Sequence, residues 1–353
     1  MDLDDWRSRI NNLDEEILNL LNRRGQAALQ IGELKRQQGL PYFVPERESH
    51  ILERLVTQNP GPLGADAIRT IWREILSASL ALEHPLPVAY LGPPSTFTHQ
   101  AAVRRFGSSA EYVAVRGIAD VFDEVERGRA QFGVVPVENS TEGAVNVTLD
   151  RLIEADVVIT GEMTLDITQH LLSRARDLAE IKAVCSHPQA LAQCRGWLGA
   201  HLPDVPTEEV SSTAAAVERA RDDETVAAVA SEMAGRLFEV PVLRARIEDN
   251  PTNSTRFLVI GRQPTAATGR DKTSILFSMK NEPGVLHSIL EPFALRRLNL
   301  TKIESRPTKR RPWEYVTFVD FEGHRDTESV RTVLSQVKER CQFLKVLGSY
   351  PAA

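Results

Sequence analysis

The opening segment constrains the fold more than any other part of the chain. Leu3, Trp6, Ile10, Leu13, Ile17 and Leu20 recur at steps of three and four residues, and Ile31 and Leu34 extend the stripe. That spacing puts them on one face of an α-helix of about thirty residues. Such a helix must bury its stripe against other helices, of this chain or of a second one. Gly39-Leu40-Pro41 ends it, and Pro45 suits the first position of a second helix carrying Ile51, Leu52, Leu55 and Val56. Asn59-Pro60-Gly61-Pro62 breaks that helix. A third is predicted from about Asp66 to Glu83, with Ile68, Ile71, Trp72, Ile75, Leu76 and Leu80 on its buried side. Residues 1–84 therefore read as an all-helical module.

The period changes after His84-Pro85-Leu86-Pro87, a proline-stiffened linker. Short apolar runs then alternate with helical segments, the pattern of an α/β domain. Strands are predicted at 88–91, 132–137, 157–162, 182–185, 226–230 and 256–260, with helices beginning near Thr98, Ile118, Gly143, Pro188, Thr213 and Ser231. The span 88–262 is large for one simple sheet, so two lobes with a cleft are expected. A second linker, Gln263 to Arg270, leads into residues 272–353. There the predicted order is strand Thr273–Met279, helix Gly284–Arg297, strands Leu300–Ser305 and Trp313–Phe321, helix Thr327–Arg340 and strand Phe343–Leu347. That βαββαβ order is a ferredoxin-like α+β fold.

Composition narrows the function classes. A chain of 353 residues suggests two or three domains. No run approaches the roughly 18 apolar residues of a membrane span, and the acidic start, Met1 to Trp6, is unlike a signal peptide. A net charge of −6 argues against nucleic acid as a partner. Cys185, Cys194 and Cys341 form no CxxC pair and read as reduced thiols of a cytoplasmic protein, with no metal site.

Several polar groups sit where chemistry could use them. Arg24 and Lys35 are about three helical turns apart, so they share a face roughly 16 Å long on which two cations can converge on a small dianion. Arg7 lies about 25 Å from Arg24 along the same helix, too far for the same small ligand unless it serves a site formed by another protomer. Arg47 and Glu48 stand on the second helix, and Ser79 and Glu83 are one turn apart on the third. Each taken alone reads as a solvated surface group. In the α/β segment, Leu91-Gly92-Pro93-Pro94-Ser95-Thr96-Phe97-Thr98-His99-Gln100 runs from a strand through a hydroxyl-rich loop into a helix start, a setting suited to an anion. Val135-Pro136-Val137-Glu138-Asn139-Ser140-Thr141 and Ser186-His187-Pro188-Gln189 end strands in polar groups, and Asn253-Ser254-Thr255-Arg256-Phe257 opens the last strand. Singly these are turn and capping chemistry; converging on one cleft they suggest a site. His170 and His187 read as structural histidines.

Together these motifs carry three resemblances. Trp6-Arg7-Ser8-Arg9-Ile10-Asn11-Asn12-Leu13-Asp14, Leu20-Leu21-Asn22-Arg23-Arg24, Ile31-Gly32-Glu33-Leu34-Lys35 and Pro45-Glu46-Arg47-Glu48 resemble the all-helical chorismate mutase family over nearly all of residues 5–83. The resemblance implies that Arg24, Lys35 and Arg47 hold the substrate carboxylates and ether oxygen, with Arg7 supplied by the partner chain. It further implies that Glu48 and Ser79 bind the ring hydroxyl and neighbouring carboxylate, and that Glu83 donates to the ether oxygen. Val44 stands where better-known members carry Asp and can serve through its backbone N–H. Glu83 replaces a glutamine found in several members and, as a carboxyl, can donate only when protonated.

The Thr255-Arg256-Phe257 motif, with the Val135–Thr141 and Ser186–Gln189 stretches, is similar to prephenate dehydratases over about residues 88–261. This implies Thr255 as the key catalytic residue, and Asn139, Gln189 and the loop Ser95, Thr96 and Thr98 as substrate contacts. Ser95 stands where glycine is commoner. Asn281-Glu282-Pro283-Gly284-Val285-Leu286 and Glu304-Ser305-Arg306-Pro307 resemble the ligand loop and sensing stretch of phenylalanine-binding ACT domains. By that resemblance Gly284, Val285, Leu286, Glu304, Ser305, Arg306 and Pro307 form an allosteric site.

The implied fold is multi-domain: an all-α helical chorismate mutase domain, an α/β two-lobed periplasmic-binding-like dehydratase domain and an α+β ferredoxin-like ACT domain. The implied partners are chorismate, prephenate and allosteric L-phenylalanine, without cofactor, and a homodimer or higher homo-oligomer. Two rival functions fit the sequence less well. A mutase fused to prephenate dehydrogenase needs a dinucleotide fingerprint such as GxGxxG, which the sequence lacks. A non-catalytic amino-acid sensor has no use for Arg24, Lys35, Glu48 and Thr255 together.

Overall fold

The structure, a computed structural model, describes residues 2–280, 282–307 and 315–352. Asn281 of the glycine loop and residues 313 and 314 of the expected strand from Trp313 lie outside the described residues. The chain falls into two compact units, Met1–Pro87 with Arg105–Glu111, and Val88–Arg104 with Tyr112–Ala353.

The first unit is built on α1 (Leu3–Gln38), α2 (Pro45–Gln58) and α3 (Ala65–Glu83). A reciprocal capping box starts α1: Asp2 accepts from the Asp5 N–H at 2.9 Å while the Asp5 carboxylate accepts from the Asp2 N–H at 2.9 Å. Gly39, left-handed at φ 64°, ends it. The last turns of α1 pack on α3. There Gly32 lets the backbones close up, because a Cβ at this position would stand 3.0 Å from Glu83 Cβ. Ala28 and Gly32 are the buried residues of α1. The front of its apolar stripe finds no such cover among the described residues: Leu3, Trp6, Ile10, Leu13 and Ile17 are between 49% and 64% exposed. The periodicity therefore reports a real face, most of which is not buried by this chain's own helices.

The second unit opens with β1 (Pro87–Leu91), α4 (Phe97–Phe106), β2 (Glu111–Val115), α5 (Ile118–Glu126), β3 (Phe132–Asn139), β4 (Gly143–Ala144), α6 (Asn146–Glu154) and β5 (Val158–Asp166). A second lobe follows, with β6 (His170–Leu172), β7 (Ala183–Ser186), α7 (Pro188–Gln193), α8 (Arg195–His201), β8 (Thr207–Glu209), α9 (Thr213–Asp222), β9 (Val226–Ala230), α10 (Glu232–Phe238) and β10 (Val242–Arg244). The chain then returns to the first lobe as β11 (Ser254–Gly261). The first sheet runs β2-β1-β3-β11-β5, with β4 on β3, and the second runs β10-β6-β9-β7-β8. Because β11 pairs antiparallel between β3 and β5, residues that arrive late in the sequence lie in the middle of the first sheet. Near Gly143 the expected helix start is displaced. Gly143 is left-handed at φ 82° and pairs with β3, so the helix begins at Asn146.

The remaining elements are β12 (Asp271–Ser278), α11 (Val285–Leu295), β13 (Leu300–Pro307), β14 (Tyr315–Glu322), α12 (Glu328–Arg340) and β15 (Phe343–Pro351). Their strands form an antiparallel sheet of order β13-β14-β12-β15, the ferredoxin-like arrangement the sequence order predicts. One face of this sheet buries Ile275, Phe277, Val319 and Phe321 under α11 and α12. The other face is not solvated. Leu276, Val316, Phe318, Leu347 and Tyr350 belong to the same buried cluster as Leu149, Leu152, Ile159 and Leu258 of the first lobe. The sensor-like sheet and the first lobe thus share one core.

Burial pushes the thiols of Cys185 and Cys194 up to about 11 and about 12, so neither is a reactive thiolate near neutral pH. No helix among the described residues is long and apolar enough to cross a membrane.

Candidate active sites and their relatives

In the helical unit, a cavity of about 250 Å³ is lined by Arg24, Lys35, Val44, Arg47, Glu48, Ser79 and Glu83, seven residues singled out from the sequence. Helical geometry brings them together: Arg24 and Lys35 share a face of α1, Val44 caps α2, and Ser79 and Glu83 are one turn apart on α3. Three cations and two carboxylates meet there, a local positive excess in an acidic chain. Arg24 donates to the Ser79 hydroxyl and, at 3.4 Å, to the Ile75 carbonyl. Burial lowers the Arg24 pKa, and Glu83 partly offsets that; the guanidinium stays charged regardless. Lys35 Nζ donates to the Tyr42 carbonyl and to Glu83 Oε2, each at 2.7 Å. Both partners of the Lys35–Glu83 pair are largely buried, so the lysine head is held in place rather than swinging in solvent.

Glu48 has a partner that the sequence reading missed. Arg105 donates to its Oε2 at 2.8 Å, across 57 residues of chain, and nothing in local spacing signals such a contact. Arg7 is exposed and pairs with Asp4 at 3.1 Å; the structure does not bring it to this cavity.

In the α/β unit the polar strand ends converge. Asn139 Nδ2 donates to Thr255 Oγ1 at 2.9 Å and to Asn253 Oδ1 at 2.8 Å, joining the ends of β3 and β11. Its own Oδ1 accepts from the Thr141 and Glu142 N–H groups at 2.9 and 3.0 Å. Asn139 is therefore fixed in orientation, with its amide N–H₂ aimed at the Thr255 hydroxyl. A β-bulge beside Arg256 makes this possible: Arg256 pairs with Glu138 but Phe257 with Pro136, leaving Val137 over. Pro136, which has no N–H to give the ladder, stands next to that extra residue.

The Ser95 loop is held from both lobes. Ser95 is left-handed at φ 69°, which is why glycine suits this position. Its N–H donates to His99 Nδ1 at 3.0 Å, and its carbonyl accepts from the Ser231 hydroxyl at 3.3 Å. Its buried Oγ has no hydrogen-bond partner among the described residues. Thr96 Oγ1 donates to the Leu91 carbonyl at 2.9 Å, and Thr98 is buried. His99 stacks on Tyr90, and burial lowers its pKa, which suits the neutral acceptor that Ser95 requires. From the second lobe, Gln189 donates to Glu142 of the first. His170 accepts from the Arg246 N–H at 3.4 Å with its pKa lowered by burial, and His187 caps α7. Both act in backbone hydrogen bonding, as structural histidines do. Asn253, named from the sequence only as part of the last-strand motif, and Ser231, named only as a helix start, hold Asn139 and the Ser95 loop respectively.

In the C-terminal sheet, Gly284 is left-handed at φ 82° at the N-cap of α11, and among the described residues nothing lies within 4 Å of where a Cβ would project. Val285 and Leu286 open that helix, and Leu286 is partly exposed. On β13, Ser305 Oγ lies 3.0 Å from Thr317 Oγ1, and Glu304 pairs with Lys302 at 3.2 Å. Arg306 is buried: it bonds Asn146 and, at 3.1 Å, Asp150 of α6.

Comparison with known proteins covers the whole chain. Residues 6–84 match the family described as chorismate mutase type II, residues 88–265 prephenate dehydratase and residues 273–339 the ACT domain. A bifunctional chorismate mutase/prephenate dehydratase of Aquifex aeolicus is 51% identical over 100% of this chain and 98% of its own. A protein of the same description from Pseudomonas aeruginosa is 46% identical over 98% and 97%. A prephenate dehydratase from Arthrobacter aurescens, solved in complex with L-Phe, has TM-score 0.69 and 34% identity, covering 76% of this chain and 90% of its own. With all three domains present in order and identity sustained from end to end, the chain belongs to the bifunctional chorismate mutase/prephenate dehydratase family.

Proposed function

We propose that this protein converts chorismate to prephenate in the helical cavity and prephenate to phenylpyruvate in the α/β cleft, under feedback by phenylalanine at the C-terminal sheet. Two observations together carry the reading: Arg24, Lys35, Arg47, Glu48, Ser79 and Glu83 converge on one cavity of the helical unit, and Thr255 and Asn139 pair within the other unit. The module limits we assign are 1–84, 88–262 and 272–353, and three free thiols, those of Cys185 and Cys194 buried, support a cytoplasmic setting.

The mutase step is a one-step pericyclic rearrangement. It asks only that a compact reactive conformer be held and that positive charge meet the breaking ether oxygen. Arg24 and Lys35 supply fixed cations, while Glu48 and Ser79 orient the ring. In the dehydratase step, the carboxylate leaves as carbon dioxide, and the electron pair of the broken C–C bond stays behind, passes through the ring and expels hydroxide, so the ring becomes aromatic. The departing oxygen needs a strong donor. Thr255, oriented by Asn139, is a fixed hydroxyl but a weak acid, so the role assigned to it is hydrogen bonding. Incubation with chorismate and no added cofactor tests the whole reading: prephenate followed by phenylpyruvate is expected, and recovery of unchanged chorismate would overturn it.

A dimer completes the mutase. The exposed front of α1 suits a second copy of the same helix, and Arg7 then serves the partner's cavity. Mixing Arg7→Ala with Arg24→Ala subunits is expected to restore activity, because one site of the mixed dimer takes both defects and the other none. Subunits shown to exchange without recovery would refute the shared site.

For phenylalanine, open space at Gly284 admits a carboxylate near backbone N–H groups, and the Ser305–Thr317 hydroxyl pair suits an ammonium. Inhibition requires that the ligand favour a less active arrangement, typically by about 1–3 kcal/mol. Gly284→Asp is expected to abolish calorimetric binding of phenylalanine while dehydratase kcat stays near wild type. Equal binding by both proteins would place the sensor elsewhere.

A further inference from the structure

β3 and β11 present their catalytic groups on one face and a set of charges on the other. Thr255 and Asn139 bond each other, whereas their neighbours Arg256 and Glu138 turn toward the C-terminal sheet. Arg256 Nε donates to Glu162 Oε2 of β5 at 2.7 Å, and a second guanidinium nitrogen meets Asp320 Oδ2 of β14 at 2.7 Å. The third bonds the Tyr350 hydroxyl of β15 at 3.3 Å. The network closes on itself: Lys272 pairs with Glu162, and Ser274 bonds both Asp320, at 2.6 Å, and Tyr350, at 2.7 Å. Two cations and two carboxylates balance in a site where the Glu162 side chain is 3% exposed.

We propose that Arg256 is a positioning residue of the dehydratase, locking β11 to the C-terminal sheet so that Asp320 and Tyr350 help set where Thr255 stands. The proposal rests on the dehydratase reading above and deepens it. Three features carry it. Arg256 is the residue next to Thr255, so a shift of its Cα moves the threonine directly. It spans β5, β14 and β15, and the planar guanidinium can satisfy these partners only in one place. Beside it, Lys302 of β13 holds Glu138 Oε2 at 2.7 Å and Glu304 Oε2 at 3.2 Å, tying the residue before Asn139 to the proposed sensing stretch. Both members of the Thr255–Asn139 pair thus have a neighbour clamped by the C-terminal sheet.

The test uses the full-length enzyme and reads both activities. Arg256→Lys keeps charge but loses the fork and is expected to lower dehydratase kcat about a hundredfold with KM within about threefold. Asp320→Asn, nearly isosteric and on the far sheet, is expected to lower it about tenfold. The double variant should be no worse than Arg256→Lys alone, because both act through one bond. Mutase kcat/KM, measured on the same samples, should not move. A merely structural role would instead lower the melting temperature and leave the dehydratase kcat of the folded protein near wild type. Folded Arg256→Lys and Asp320→Asn proteins with dehydratase kcat within twofold of wild type would overturn the proposal, as would equal additive losses. Failure of the wild-type protein to dehydrate prephenate would instead overturn the dehydratase reading itself.

Discussion

Replacing Arg24 by alanine is expected to lower mutase kcat/KM by about 10³-fold while dehydration of supplied prephenate stays within about twofold. Arg24 is a half-buried cation whose guanidinium is already seated against Ser79 and the Ile75 carbonyl, so in the proposed role it would meet a substrate carboxylate with little reorganisation. Its loss also leaves the Ser79 hydroxyl without that neighbour and shifts the cavity's charge by one unit. Thr255→Ala is expected to do the reverse, lowering dehydratase kcat by about 10²–10³-fold and sparing the mutase. The two groups belong to different compact units, with no residue shared by their constellations. Assays of each activity on each purified variant check this. Loss of both activities in either variant, with circular dichroism unchanged, would rule out two separate sites.

Ending the chain after Arg262 is expected to destabilise the dehydratase rather than simply free it from feedback. The cut removes Leu276, Val316, Phe318, Leu347 and Tyr350 from a common core and uncovers Leu149, Leu152, Ile159 and Leu258. At roughly 1.5–3 kcal/mol for each large apolar side chain, uncovering these four costs on the order of 10 kcal/mol, comparable to the whole stability of an ordinary domain. Arg256 and Glu162 lose Asp320 and Lys272 at the same time, leaving a buried pair partly uncompensated. The 1–262 chain should be insoluble or melt at least about 10 °C below the full protein. A soluble fragment with unchanged melting temperature and full dehydratase activity would show that the lobe stands without its sheet.

Much of this architecture was legible in residue order. The three-and-four spacing from Leu3 to Leu34 announced α1, and Gly39 and Pro45 marked its end and the start of α2. Period and punctuation are local properties, so a linear reading recovers them. The strands that escaped, such as β4, β8 and β10, are two or three residues long, are mostly polar or exposed, and exist because a neighbour supplies the ladder. Gln263–Arg270 reads as a linker from composition, yet the sheet beyond it packs its second face onto the first lobe. Nothing in a linker's residues tells what its two ends will bury against. Arg306 shows the same limit at a single position. Its place in the Glu304–Pro307 stretch suggests a ligand contact, while its side chain is committed to Asn146 and Asp150 of α6. Motif membership locates such a residue, but packing decides what it touches.

The uncovered front of α1 has a further consequence. On the reading that a second copy covers Leu3, Trp6, Ile10, Leu13 and Ile17, the helical unit is a bimolecular structure while the α/β unit folds within one chain. The two halves of one polypeptide then answer differently to dilution. The first must lose thermal stability as protein concentration falls, in proportion to its logarithm, and the second must not. One protein would carry a concentration-dependent activity and a concentration-independent one, so mutase output per molecule would track the cell's supply of the enzyme itself.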